Sequence, residues 1–293
     1  MGATLLDGVN GLADVIAAHA STMEQERRIA DEVVAGIRAT GLNRALMPAA
    51  LGGDDVPLLD VVHAIERIAA IDGSTGWCAA VGMGSNVFSG YVAPEAAAEV
   101  WPDPDQGNAS AFGPTGEVRP DGDGLTLSGR WAFSSNCLHS DHITPLGMAR
   151  GAVDEVQRLI ADGVGSTRGA IANDPLALAD YAMADTRLRA ARAAIADACG
   201  RAWEAAERGE RASKQVQAQV MLALNHGCEV AVEVTGTCHR LGGGKAAYAG
   251  STLLRRLRDV ETARQHMMFG FGSRPVLAKA LSGEDIFAPP FIV

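Results

Sequence analysis

Apolar positions recur at three- and four-residue intervals along most of this chain, and that spacing predicts helices. After a short apolar helix around Ile16, the segment EQERRIADEVVAGIRATGL sets Ile29, Val33 and Ile37 four apart, and Gly41 closes it. LLDVVHAIERIAAIDG repeats the pattern through Leu58, Val61, Val62, Ile65 and Ile68. DGSTGWCAAVGMGSNVFSGYVA then reads as a buried, glycine-rich helix, followed by a short one over Pro94–Val100. Its small residues Ala79, Ala80, Gly82 and Gly84 suit tight helix packing or the close approach of a ligand.

The period changes over residues 107–143. NASAFGPTGEVRPDGDGLTLSGRWAFSSNC alternates, breaks at Pro120–Gly124 and resumes as Leu125, Leu127, Gly129, Trp131 and Phe133. This predicts a strand, a tight Asp/Gly turn and a second strand, the one convincing β segment in the chain. Two or three strands leave unpaired edges that need covering.

From Thr144 onward the helical period returns. Thr144-Pro145 and Asp174-Pro175 read as N-cap and first-turn pairs for the next two helices. In the second of these, Tyr181, Leu188 and Ile195 lie seven apart and are continued by Cys199 and Trp203, which predicts one buried stripe. SKQVQAQVMLALNHGCEVAVEVTGTCHR supplies Val216, Val220, Leu224, Cys228, Ala231 and Cys238 before Gly242-Gly243-Gly244, and STLLRRLRDVETARQHMM gives a fourth helix. Four such helices with short connectors predict a bundle. The expected organisation is an N-terminal helical domain over 1–106, a β segment over 107–144 and a helical bundle over 145–293.

Composition narrows the function classes. The chain has 293 residues, 47% of them in the hydrophobic set and 20% charged, as in ordinary globular proteins. Its net charge of −10 opposes binding to a nucleic-acid backbone or an anionic membrane. Five scattered cysteines form no CxxC spacing and no even disulfide set. The first twenty residues carry two aspartates and no basic start, unlike a signal peptide, and no apolar run reaches membrane-spanning length. A cytoplasmic location is therefore expected.

Several motifs, taken in order, carry a family resemblance. ERRIADEVVAGIRATGL with MPAALGG, IDGSTGWCAA, SAFGPTG, LSGRWAFSSNC, LGMARGAVDE and HRLGGGKAAYAGSTLLRRLRDVETARQH together resemble the acyl-CoA dehydrogenase superfamily. The closer likeness is to its branch of flavin-dependent, two-component monooxygenase-like proteins. The resemblance implies a mainly α fold: an N-terminal helical domain, a β segment and a C-terminal four-helix bundle that forms homodimers or homotetramers. It also implies FAD or reduced flavin as cofactor, with FMN as a variant, a flavin reductase as partner, and a hydrophobic acyl or aromatic small-molecule substrate in the bundle cleft.

Residue by residue, the resemblance sets Phe112, Pro114, Thr115, Ser134 and Ser135 against the flavin, with Ser135 also near the reacting ring. Donors there suit a ring that gains negative charge on reduction. His266 falls where the monooxygenase branch has an acid/base histidine, a role that an imidazole with a pKa of roughly 6.5 suits. Gly243, Gly244 and Arg258 fall in the dinucleotide and inter-subunit region, where glycine amides can approach phosphates. Read without the family, the same residues are plainer: a polar strand end, a helix-surface histidine beside Gln265, a helix C-cap and an Arg258–Asp259 ion pair.

Two departures stand out. His139–Thr144 runs straight into Pro145–Arg150, so much of the family's middle β domain, one wall of its flavin pocket, has no counterpart. Ser85 falls where the branch has a second histidine, and no glutamate stands out as the base of a true dehydrogenase. Cys137, His139, Asp141 and His142 fit no zinc spacing, and no metal is expected. A flavin-linked oxidoreductase is the leading expectation. The alternative is a flavin-free descendant that acts as a binding or scaffold protein, or as a cofactor-independent cyclase or isomerase.

Overall fold

A computed structural model describes residues 4–91, 93–107, 116–121, 124–129, 144–162, 165–166, 169–265, 269 and 274–284, with the backbone alone at 116, 118, 121, 124–125, 127, 129, 144–151, 165–166 and 169–170. The fold is mainly α.

The N-terminal part begins with α1 (Leu5–Gly11), which Thr4 and Asp7 close by a reciprocal capping box. Next come α2 (Ala13–Glu26) and α3 (Asp31–Ala39). The helical pattern through EQERRIADEVV is broken between these two. Arg27 adopts the left-handed region at φ 55°, and Ala30 is extended. The break lets Met23 on α2 and Val33 and Ile37 on α3 enter one core with Ile16, Leu42 and the buried face of α4 (Leu58–Ile71).

Helix α5 (Gly73–Asn86) starts at Asp72, whose carboxylate accepts from the Thr75 amide at 2.8 Å and the Thr75 hydroxyl at 2.7 Å. Close packing of α5 on α4 falls at Gly76, where a Cβ would lie 2.5 Å from the Ala69 backbone. The chain then passes through a 3₁₀ turn at Val87–Tyr91 to α6 (Pro94–Val100).

The expected hairpin is β1 (Gly116–Asp121) paired antiparallel with β2 (Gly124–Gly129), in register Val118 opposite Leu127. Strand β1 includes Pro120, so the first strand extends past the predicted break. Trp131 and Phe133 lie outside the described residues. A second, two-residue ribbon, β3 (Gly165–Ser166) with β4 (Gly169–Ala170), corrects the expectation of a single β segment. Nothing in the alternation of so short a stretch signals it.

The C-terminal bundle comprises α7 (Thr144–Ala161), α8 (Pro175–Glu207), α9 (Lys214–Leu241) and α10 (Thr252–Arg264), with α11 (Arg274–Leu281) added against α9. Asp174, Ser213 and Ser251 cap three of these helices by accepting from first-turn amides. Helix α9 is central and packs against α7, α8, α10 and α11. The α8 stripe buries Leu188, Ile195 and Cys199 as its spacing predicts, but continues through Ala205. Trp203 turns aside, and its indole donates to Glu207 at 3.1 Å.

The two parts are joined chiefly where α4 packs on α7. Arg192 on α8 also pairs at 2.8 Å with Glu66 on α4, whose side chain is buried.

Candidate functional site

Three helices meet where the two parts join: α5 and α10 both pack on α7 and on each other. Helix α5 begins at the Asp72 cap, which satisfies the amide of the buried Thr75. At its far end Ser85 is buried, and its hydroxyl donates to the Val81 carbonyl at 3.0 Å.

Asn86, the next residue, is fully buried. Its amide donates to the carbonyls of Asn43 and Gln106, both at 2.9 Å, and its oxygen accepts from the Trp101 indole at 3.0 Å.

Helix α10 carries the Arg-rich motif. Arg258 is half exposed and pairs with Glu24 on α2, which also takes Arg255 at 3.7 Å. Arg258 thus pairs with Glu24 and not with Asp259. Asp259 is pushed up to about 6, first by burial and then by the charge of Asp72; Arg255, Arg256 and Arg258 pull the other way. The folded state therefore favours a protonated Asp259. That contribution is fully present below pH 4 and is lost as pH rises through about 6. Asp259→Asn is expected to gain on the wild type by about 2 kcal/mol between pH 4 and pH 7.5, as read from urea unfolding at each pH.

The glycine-rich turn follows α9. Gly243 takes φ 61° and starts a 3₁₀ turn, and nothing stands within 4 Å of a Cβ built on Gly244. Backbone there is open to a close-approaching group, which fits the phosphate role that the resemblance implies. Gly242 is held for packing instead, since a Cβ there would meet Leu253 at 2.6 Å and Ala246 at 2.9 Å.

Phe112, Pro114, Thr115, Ser134, Ser135 and His266 lie outside the described residues, as does the Cys137–His142 cluster. Among the described residues no cluster of three His, Cys, Asp or Glu side chains is arranged for a metal, and no helix is long and apolar enough to cross a membrane. Sequence reasoning missed Asp72, Asn86 and Arg256. Of these, Asp72 alone had a local signal, the Asp-x-x-Thr cap preceding an apolar run.

The family profile described as acyl-CoA dehydrogenase, C-terminal domain, matches residues 143–271, which contain α7 to α10. Over that span the chain is similar to the acyl-CoA dehydrogenase superfamily, and the curated proteins it matches are monooxygenases. Indole-3-acetate monooxygenase of Pseudomonas putida is 25% identical over 352 aligned positions, which take in 91% of this chain and 89% of that protein. The flavin-dependent monooxygenase oxygenase subunit HsaA of Rhodococcus jostii is 30% identical over 133 residues, 45% of this chain and 35% of its own. Among solved structures, 3-HSA hydroxylase from Rhodococcus sp. RHA1 superposes with a TM-score of 0.88 at 18% identity, covering 100% of this chain and 99% of that one. The 352-position alignment is longer than the chain's own 293 residues. The Pseudomonas relative therefore carries internal residues with no counterpart here.

Proposed function

We propose that this chain is the oxygenase component of a two-component, flavin-dependent monooxygenase that hydroxylates a small aromatic compound. The observation that carries this reading is the near end-to-end relationship to indole-3-acetate monooxygenase. The HsaA relationship adds a protein that is by name both flavin-dependent and an oxygenase subunit.

Within this proposal, Phe112, Thr115, Ser134 and Ser135 contact reduced flavin, FAD or FMN, while Gly243 and Gly244 hold its phosphate through backbone amides, with Arg258 nearby. Bound reduced flavin supplies the electrons that activate dioxygen. His266 takes the acidic proton of the substrate as its ring becomes electron-rich, and returns it after transfer. The aromatic body lies among the bundle helices, which exclude water. A flavin reductase supplies the reduced cofactor, and a second copy of the chain covers the β1–β2 edges in a homodimer or homotetramer. The domain division at 106 and 144 belongs to the same proposal.

A second reading, a flavin-free binding protein or isomerase on the same fold, is favoured by one observation: the internal residues that the Pseudomonas relative has and this chain lacks. Flavin titration decides between the two. Stoichiometric binding of FAD or FMN, oxidised or reduced, with a rise in melting temperature is expected, because a ligand of the folded state stabilises it by mass action. No binding at high flavin concentration overturns the redox reading.

A further inference from the structure

We propose that the cavity between α2, the end of α4, α7 and the start of α10 is a binding site for a small organic carboxylate, which Arg256 holds by its guanidinium. The cavity has a volume of about 290 Å³. A water takes about 30 Å³ of liquid volume, so there is room for a ligand of several heavy atoms.

Arg256 is the reason to expect an anion. It is 7% exposed, lines the cavity, and its Nε has no hydrogen-bond partner. Among the described residues no carboxylate comes within ion-pair distance of it. Burial and the neighbouring Arg255 oppose its charge, so its pKa is lowered. A buried cation without a counter-ion is costly, and proteins normally pair it or let it bind an anion.

The surrounding carboxylates are already engaged. Arg158 pairs with Glu155, and Glu24 serves both Arg255 and Arg258. Asp72 is committed to the α5 cap, and Asp259, like the other described carboxylates, forms no ion pair with Arg256. The lining itself holds Arg158, Arg255 and Arg256 against one carboxylate, Asp154, with the Thr252 side chain beside them. This leaves the lining net positive.

The rest of the wall selects for an organic anion over a bare phosphate. Ala17, Ala20, Ala70 and Ile71 form an apolar side. An apolar body against these residues with its carboxylate on Arg256 matches both chemistries of the site. Such a ligand touches α2 and α4 of the N-terminal part together with α7 and α10 of the bundle, so its binding would tighten their junction. The site makes no use of flavin and is independent of the function proposed above.

The test uses the full chain, with benzoate, its neutral analogue benzamide, acetate and inorganic phosphate as probes in calorimetry and thermal melts. Benzoate is expected to bind once per chain at millimolar concentration or below and to raise the melting temperature; benzamide is not. Arg256→Met, which removes the charge at similar length, is expected to weaken benzoate by about tenfold or more, the usual scale of a charge-assisted bond. Ala20→Leu fills the apolar side and is expected to do the same while keeping every arginine, so it decides the matter if Arg256→Met fails to fold. Absence of benzoate binding, equal binding to either variant, or equal binding of benzamide overturns the proposal. Phosphate binding as tightly as benzoate overturns the organic-acid assignment.

Discussion

His266→Ala is expected to lower the rate of substrate hydroxylation by about 10²–10⁴-fold, the range for removing a general acid/base, while the melting temperature stays at the wild-type value. The proposed chemistry requires a group that can take a proton near neutral pH and give it back. An imidazole with an unperturbed pKa of roughly 6.5 is mostly neutral at pH 7.5 and ready to do so. Within the proposed function, His266 carries this role. The wild-type rate should depend on pH through this proton transfer, and the variant should lose that limb of the profile. A merely surface-exposed histidine after α10 would leave both rate and pH profile unchanged, which would remove the acid/base role while leaving flavin binding intact. Flavin affinity, measured on the same variant, separates a loss of chemistry from a loss of cofactor.

The helical framework was legible because its information is local. The stripes of α4, α8 and α9 follow the 3.6-residue period, and Asp174, Ser213 and Ser251 announce helix starts in single letters. Tertiary choices were not legible. Nothing in EQERRIAD requires a left-handed Arg27; the break serves the shared core of α2 and α3. The small residues Ala79 and Ala80 on α5 are buried in the N-terminal core as their pattern predicts, whereas the close approach at Gly76 is fixed by where α4 passes. The run LLRRLRD reads as a packing and salt-bridge face, but which arginine packs and which pairs is set by how α10 meets α2 and α7: Arg256 is buried while Arg258 stays half exposed and pairs with Glu24. Burial of one arginine in such a run depends on what packs across it, which no window of sequence contains. The candidate site divides in the same way. Family motifs marked the glycine turn and Arg258, whereas the arginine-lined cavity arises from four helices distant in sequence.

Asn86→Ala is expected to destabilise the fold by about 3–5 kcal/mol, the largest stability effect among the single changes considered. The side chain is fully buried and joins three separate pieces of chain: the 3₁₀ turn at Leu42–Arg44, the loop ending at Gln106, and Trp101 after α6. Alanine leaves two carbonyls and one indole N–H without this partner, and each unsatisfied buried group costs about 1–3 kcal/mol. Trp101→Phe strips one of the three bonds and should cost less than half as much. The double variant should then lose less than the sum of the two, because the Trp101–Asn86 bond can be removed only once. Urea unfolding followed by circular dichroism measures all three without relying on the indole itself. An Asn86→Ala midpoint equal to the wild type would mean that water replaces these bonds, and that the end of α5 beside Ser85 is positioned by apolar packing instead of by this amide.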